Sequence, residues 1–117
     1  MKTLPPPPVP QKLREMLKDY PQYLDELQRT LNDVVAKPLH GTPLFEQAIW
    51  SLEGALSSFI SEARDELKVA QSSSDPEAIR KAEAKVSLML HARFSNGGMS
   101  DLNEILAYFQ AHKEILS

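Results

Sequence analysis

Between Thr42 and about Ser73, apolar residues recur at Phe45, Ala48, Ile49, Leu52, Leu56, Phe59, Ile60, Ala63, Leu67 and Ala70. The steps are threes and fours, the spacing of one face of a helix. At about 100° per residue these positions share one wide stripe. The spacing therefore predicts a single long helix around which the rest of the chain is organised. Thr42 is placed to cap its first-turn amides, with Pro43 at the first helical position. Glu46 follows near the positive end of the helix dipole. The Ser72-Ser73-Ser74 run is the expected stop.

The flanking segments carry shorter versions of the same pattern. Leu13, Met16 and Leu17 predict a helix from Gln11 to Asp19, and Pro21 bends the chain after it. Tyr20, Leu24, Leu27, Leu31, Val34 and Val35 outline a second helix from about Pro21 to Ala36, closed by Pro38. After the serine run, Asp75-Pro76-Glu77 is a helix-start signature. The short link implies an antiparallel hairpin with the long helix. Ile79, Ala82, Val86, Met89 and Leu90 form the inner face of this fourth helix, expected to end at Asn96-Gly97-Gly98 in the manner of a glycine cap. Ser100 is expected to cap a last helix from Asp101 to about Leu116, with Leu102, Ile105, Leu106, Phe109 and Leu116 inside. No strand pattern and no internal repeat occurs. The expected fold is all-α, four or five antiparallel helices in a bundle around one long central helix.

Three stretches depart from simple amphipathicity. On the face opposite the long helix's apolar stripe lie Trp50, Gly54, Ser57, Ser58 and Ser61. A glycine inside a helix costs about 1 kcal/mol relative to alanine. One turn after a tryptophan it leaves a notch beside the indole. In the fourth helix, Val86, Leu88, Met89, Leu90, Ala92 and Phe94 leave little of the segment polar. A helix apolar on most sides is covered on most sides. The cover is expected from neighbouring helices or from a second subunit.

The third departure is the N-terminus. Residues 1–10, with prolines at 5, 6, 7, 8 and 10, read as an arm of extended polyproline II ahead of a helical domain over 11–117. Leu4-Pro5-Pro6-Pro7-Pro8 resembles the ligand motif read by EVH1 domains. Pro7-x-x-Pro10-x-Lys12 resembles an SH3 ligand. The arm is expected to be free, to serve such a partner, or to dock on the outward Trp50.

Composition narrows the classes. A chain of 117 residues suits one domain with one modest core. The net charge of −3 argues against general nucleic-acid binding. The absence of cysteine excludes disulfides, thiolate catalysis and cysteine-bound metal. The start of the chain has no apolar secretory core, and no apolar run reaches bilayer-spanning length. A cytoplasmic protein without membrane association is expected.

No motif of a specific chemistry emerges. His40, His91 and His112 stand outside any metal-ligating pattern. His112 falls on the apolar side of the last helix, where a partly buried histidine is expected. Glu62, Asp65 and Glu66 interleave with Arg64 and Lys68, the pattern of a solvated face. No nucleophile elbow, phosphate loop or di-iron motif is present. No cofactor is implied. Charge is two-sided along the hairpin: residues 76–99 hold four Lys/Arg against two Glu, and residues 42–75 hold two against six acidic residues.

The sequence therefore points to a small non-catalytic interaction or regulatory protein, such as an inhibitor or adaptor of a larger assembly. Its expected partner is another protein, and a homodimer is expected through the fourth helix. The candidate partner-binding residues are Trp50, Gly54, Leu88, Phe94 and Tyr108. The alternative is a nucleic-acid-associated regulator using the basic face of helix 76–94, with Arg80, Lys81 and Lys85 as the patch. No aromatic residue interleaves those cations, which counts against single-strand binding.

Overall fold

The structure, a computed structural model, describes residues 5–37, 41–94 and 97–112. It is all-α, with helices α1 (Gln11–Met16), α2 (Pro21–Ala36), α3 (Leu44–Ser73), α4 (Pro76–Arg93) and α5 (Asn103–Ala111). The molecule measures 56 × 25 × 22 Å. At 1.5 Å per residue, α3 with its 30 residues accounts for most of the long dimension.

The expected stripe of α3 is its buried face. Ala48, Leu52, Leu56, Phe59, Ile60, Ala63 and Ala70 are all buried. All of these but Ala70 pack in one core with Leu13 and Leu17, with Tyr23, Leu27 and Leu31 of α2, with Met89 and Ala92 of α4, and with Ile105 and Phe109 of α5. Tyr23 was not expected on the inner face of α2. It stacks on Phe59 at 4.2 Å between ring centroids.

Several helix ends differ from expectation. Thr42 does not cap α3. Pro43, extended at ψ 138°, takes the capping position, and helical geometry begins at Leu44. The Thr42 carbonyl instead accepts from the side chain of Gln47, a polar residue buried one turn in. Helix α1 stops at Met16 rather than Asp19. Helix α4 ends at Arg93, before Gly97 and Gly98. Those glycines do not form a left-handed cap, because Gly41 is the described glycine with positive φ. They are needed for closeness. A Cβ on Gly97 would lie 2.1 Å from the His91 carbonyl oxygen, and one on Gly98 2.4 Å from that of Ala92 and 2.6 Å from Leu13. The chain thus folds tightly over the end of α4, with the Gly98 amide donating to the His91 carbonyl.

Helix α5 starts at Asn103, where the Asp101 carboxylate accepts from the Asn103 amide; Ser100 does not cap it. The expected extension through Ile115 and Leu116 lies outside the described residues, as does His40. The α3–α4 hairpin forms as the serine run and Asp75 imply. Ser74 is left-handed at φ 58°, the Ser73 hydroxyl accepts from the Asp75 amide, and Asp75 caps Glu77.

Residues 5–10 of the proline arm lie against the helices. Pro7, Val9 and Pro10 are buried, Pro10 fully. The seat is not Trp50. Pro8 and Val9 instead line a groove with Leu24, Asp25 and Gln28 of α2, Arg14 of α1 and Glu104 of α5.

Candidate functional site

The five residues singled out from sequence do not form one surface. Trp50 and Gly54 lie together on the seam between α2 and α3. Trp50 is 57 % exposed. It lines a groove with Thr30, Asp33, Val34, Lys37, Gln47 and Ser51. A second groove on the same seam shares Thr30 and Ser51 with it and is lined further by Tyr23, Glu26, Gly54, Ala55, Ser58 and Glu62. Nothing lies within 4 Å of where a Cβ on Gly54 would stand, so the notch beside the indole is open.

Ser57 and Ser61 belong to the other side of the same crest. With Ile60, Arg64, Leu90, Arg93 and Phe94 they line a smaller groove between α3 and α4. Phe94 is 53 % exposed there. Arg93 donates to the Ser57 hydroxyl at 2.8 Å and faces Glu53 at 3.9 Å.

Leu88 and Tyr108 face inward. Leu88 is half-buried and packs on the chain's own core. Helices α3 and α1 flank α4. Part of the covering surface that the apolar pattern requires is therefore supplied within the chain. Tyr108 is buried, and its hydroxyl donates to the Pro5 carbonyl at 2.7 Å. His112 is half-buried, tilted on the Tyr108 ring at 4.8 Å. Burial pushes the Tyr108 phenol above its ordinary pKa.

The basic patch is partly spent on the fold. Lys85 donates to both Glu66 oxygens, at 2.9 and 2.8 Å, and is mostly covered. Its ammonium stands 5.0 Å from the Tyr23 ring centre and 5.3 Å from that of Tyr20. Burial alone would lower its pKa. The Glu66 bonds and the Tyr23 phenol outweigh that, and the net shift is upward. The Tyr23 hydroxyl is itself buried without a hydrogen-bond partner of regular geometry. Burial raises its pKa more than the Lys85 charge lowers it. Arg80 and Lys81 remain exposed. The opposite charges of the two hairpin helices thus meet as Lys85–Glu66 and Arg93–Glu53 pairs.

Sequence reasoning missed one cluster. The Glu104 carboxylate accepts the first amide of α1, at Gln11, and binds Arg14 through both oxygens. An acid at a helix N-terminus satisfies orphan amides and the dipole together. The partners are 90 and 93 positions apart, and no local pattern announces them. Among the described residues, no group of three or more His, Cys, Asp or Glu is placed to hold a metal ion. No described helix is long and apolar enough to cross a membrane. The fold and surface define a small hairpin-centred helical protein. No protein-family profile, curated protein or solved structure matches the chain.

Proposed function

We propose that the protein is a non-catalytic interaction module. In this reading it binds another protein through the α2–α3 seam at Trp50, as an adaptor or inhibitor of a larger assembly does. The observation that carries the proposal is the exposed Trp50 beside the open Gly54 notch. Tryptophan supplies large rigid contact area and is enriched among the residues that dominate binding energy. An indole left in water on a grooved seam is suited to fill a partner's pocket. The cysteine-free sequence is compatible with a cytoplasmic setting.

The nucleic-acid alternative has less to rest on, since Lys85 and Arg93 are paired to α3. Affinity capture from extract with the full chain tests the choice. Trp50→Ala should lose proteins that wild type and an Arg80→Glu, Lys81→Glu chain both retain. Retention by Trp50→Ala, with loss in the charge-reversed chain or after nuclease, would overturn the seam in favour of the basic helix.

A further inference from the structure

The seat of the proline arm has the chemistry of a binding site. Three side chains from three helices each donate to a main-chain carbonyl of the arm. Tyr108 of α5 meets Pro5 at 2.7 Å, Gln28 of α2 meets Pro7 at 2.7 Å, and Arg14 of α1 meets Val9 at 3.0 Å. The accepting carbonyls are two residues apart. Proline fixes φ near −65° and biases the residue before it toward polyproline II. In that helix of three residues per turn, carbonyls two positions apart point about 120° away from one another. Donors must then come from different sides, and three separate helices supply them.

The match is also one of kind. A run of prolines has carbonyl acceptors but no N–H donors. The cradle presents a phenol, an amide nitrogen and a guanidinium, all as donors. Each donor is held by partners of its own. Glu104 grips Arg14 through both oxygens, Asn32 accepts from Gln28 at 3.0 Å, and Phe109 and His112 flank the Tyr108 ring. Donors held in place by other contacts do not depend on the arm for their geometry. A polyproline segment is stiff before it binds, so seating it costs little chain entropy.

We propose that this cradle is a polyproline-binding site whose resident occupant is the chain's own arm, and that a proline-rich segment of another protein takes the place of residues 5–8. Val9 and Pro10 stay as the hinge. Both are buried, and the Pro10 carbonyl accepts the Arg14 amide at the start of α1. The bonds at Tyr108 and Gln28 address main-chain oxygens, so any segment of the same helix type and spacing satisfies them. The tethered arm competes at an effective concentration on the order of millimolar. The site is therefore self-inhibited, opening only to a ligand that outcompetes the arm or when the arm is drawn away. In its docked state the arm also buries Pro7 and Pro10, the two prolines of its SH3-like motif.

A fluorescent tetraproline peptide, followed by anisotropy, tests this on the full-length chain. Pro5→Gly, Pro6→Gly and Pro7→Gly together loosen the arm without shortening the chain. They should tighten peptide binding roughly tenfold over wild type. Adding Tyr108→Phe and Gln28→Ala to the loosened chain should abolish the gain at unchanged helicity. Should the triple change lower helicity, Pro5→Gly alone, at an exposed ring, takes its place, with an expected gain of roughly twofold. A loosened chain that binds the peptide no better than wild type overturns the proposal. So does binding that survives loss of both donors.

Discussion

At residue 85 one cation serves several neighbours. The Lys85 ammonium closes on Glu66 and stands over the rings of Tyr20 and Tyr23. The pKa of Lys85 is raised from 10.5, and that of Tyr23 from 10.0, in the fold. Tyr108 is raised in the same direction by burial. A group that holds its proton more tightly when folded stabilises the fold below its unfolded pKa and loses that contribution as pH rises through the folded value. All three therefore give stability that is complete at neutral pH and lost on the alkaline side. The thermal midpoint should stay level between pH 7 and 9 and fall above pH about 10. Ionised Tyr108 cannot donate to Pro5, so the arm should loosen in the same range. Lys85→Met should cost about 1 kcal/mol at neutral pH and flatten the alkaline fall, read from thermal melts across pH.

At the scale of elements, two glycines separate two uses of the same residue. Gly54 stands inside α3 with open space where a side chain would go. Its replacement by alanine adds helix propensity and meets nothing. Gly54→Ala should raise stability by about 1 kcal/mol. Gly98 lies where the chain folds over the end of α4, against the Ala92 backbone and Leu13. A methyl there must displace backbone, which side-chain motion cannot relieve. Gly98→Ala should lower stability by about 2 kcal/mol, the cost of overpacking. Paired thermal or denaturant melts check both signs, and Gly54→Ala also probes whether the notch beside Trp50 matters to a partner.

At the scale of the molecule, the hairpin outruns its cover. Beyond Ala63, Ala70 is the described buried residue of α3, and Val69 is 71 % exposed. The base of the hairpin sits among α1, α2 and α5. Leu88 belongs to that base, against the chain's own core. Leu88→Lys should therefore destabilise the single chain, by about 2 kcal/mol for a charge forced onto a half-buried apolar site, without changing its size. Size-exclusion at tens of micromolar, chosen as an order of magnitude that spans weak dimers, gives the answer. A shift from dimer to monomer at unchanged helicity would restore the second subunit as the missing cover.

What the sequence determined by itself is what short-range physics controls. Period, proline placement and capping act within about one turn. They located α2 at Pro21–Ala36, the Asp75 cap of α4, the hairpin and the all-α class. The outward position of Trp50 followed from the same periodicity. The tertiary structure decided where distant segments meet. The arm's stiffness was legible, but a proline carbonyl carries no mark of its donor. Trp50 was the seat the sequence offered, and the Tyr108 hydroxyl became one only once the fold brought it to the Pro5 carbonyl. Glu104 reaches α1 only because the last helix returns to the first. Gly97 and Gly98 read as a cap because cap chemistry is local, whereas Gly97 is required by the His91 backbone and Gly98 also by Leu13, far back in the chain. Leu88 left open whether its cover comes from the same chain or from a second subunit, because a helix cannot report, from its own residues, how many neighbours the fold will lay against it.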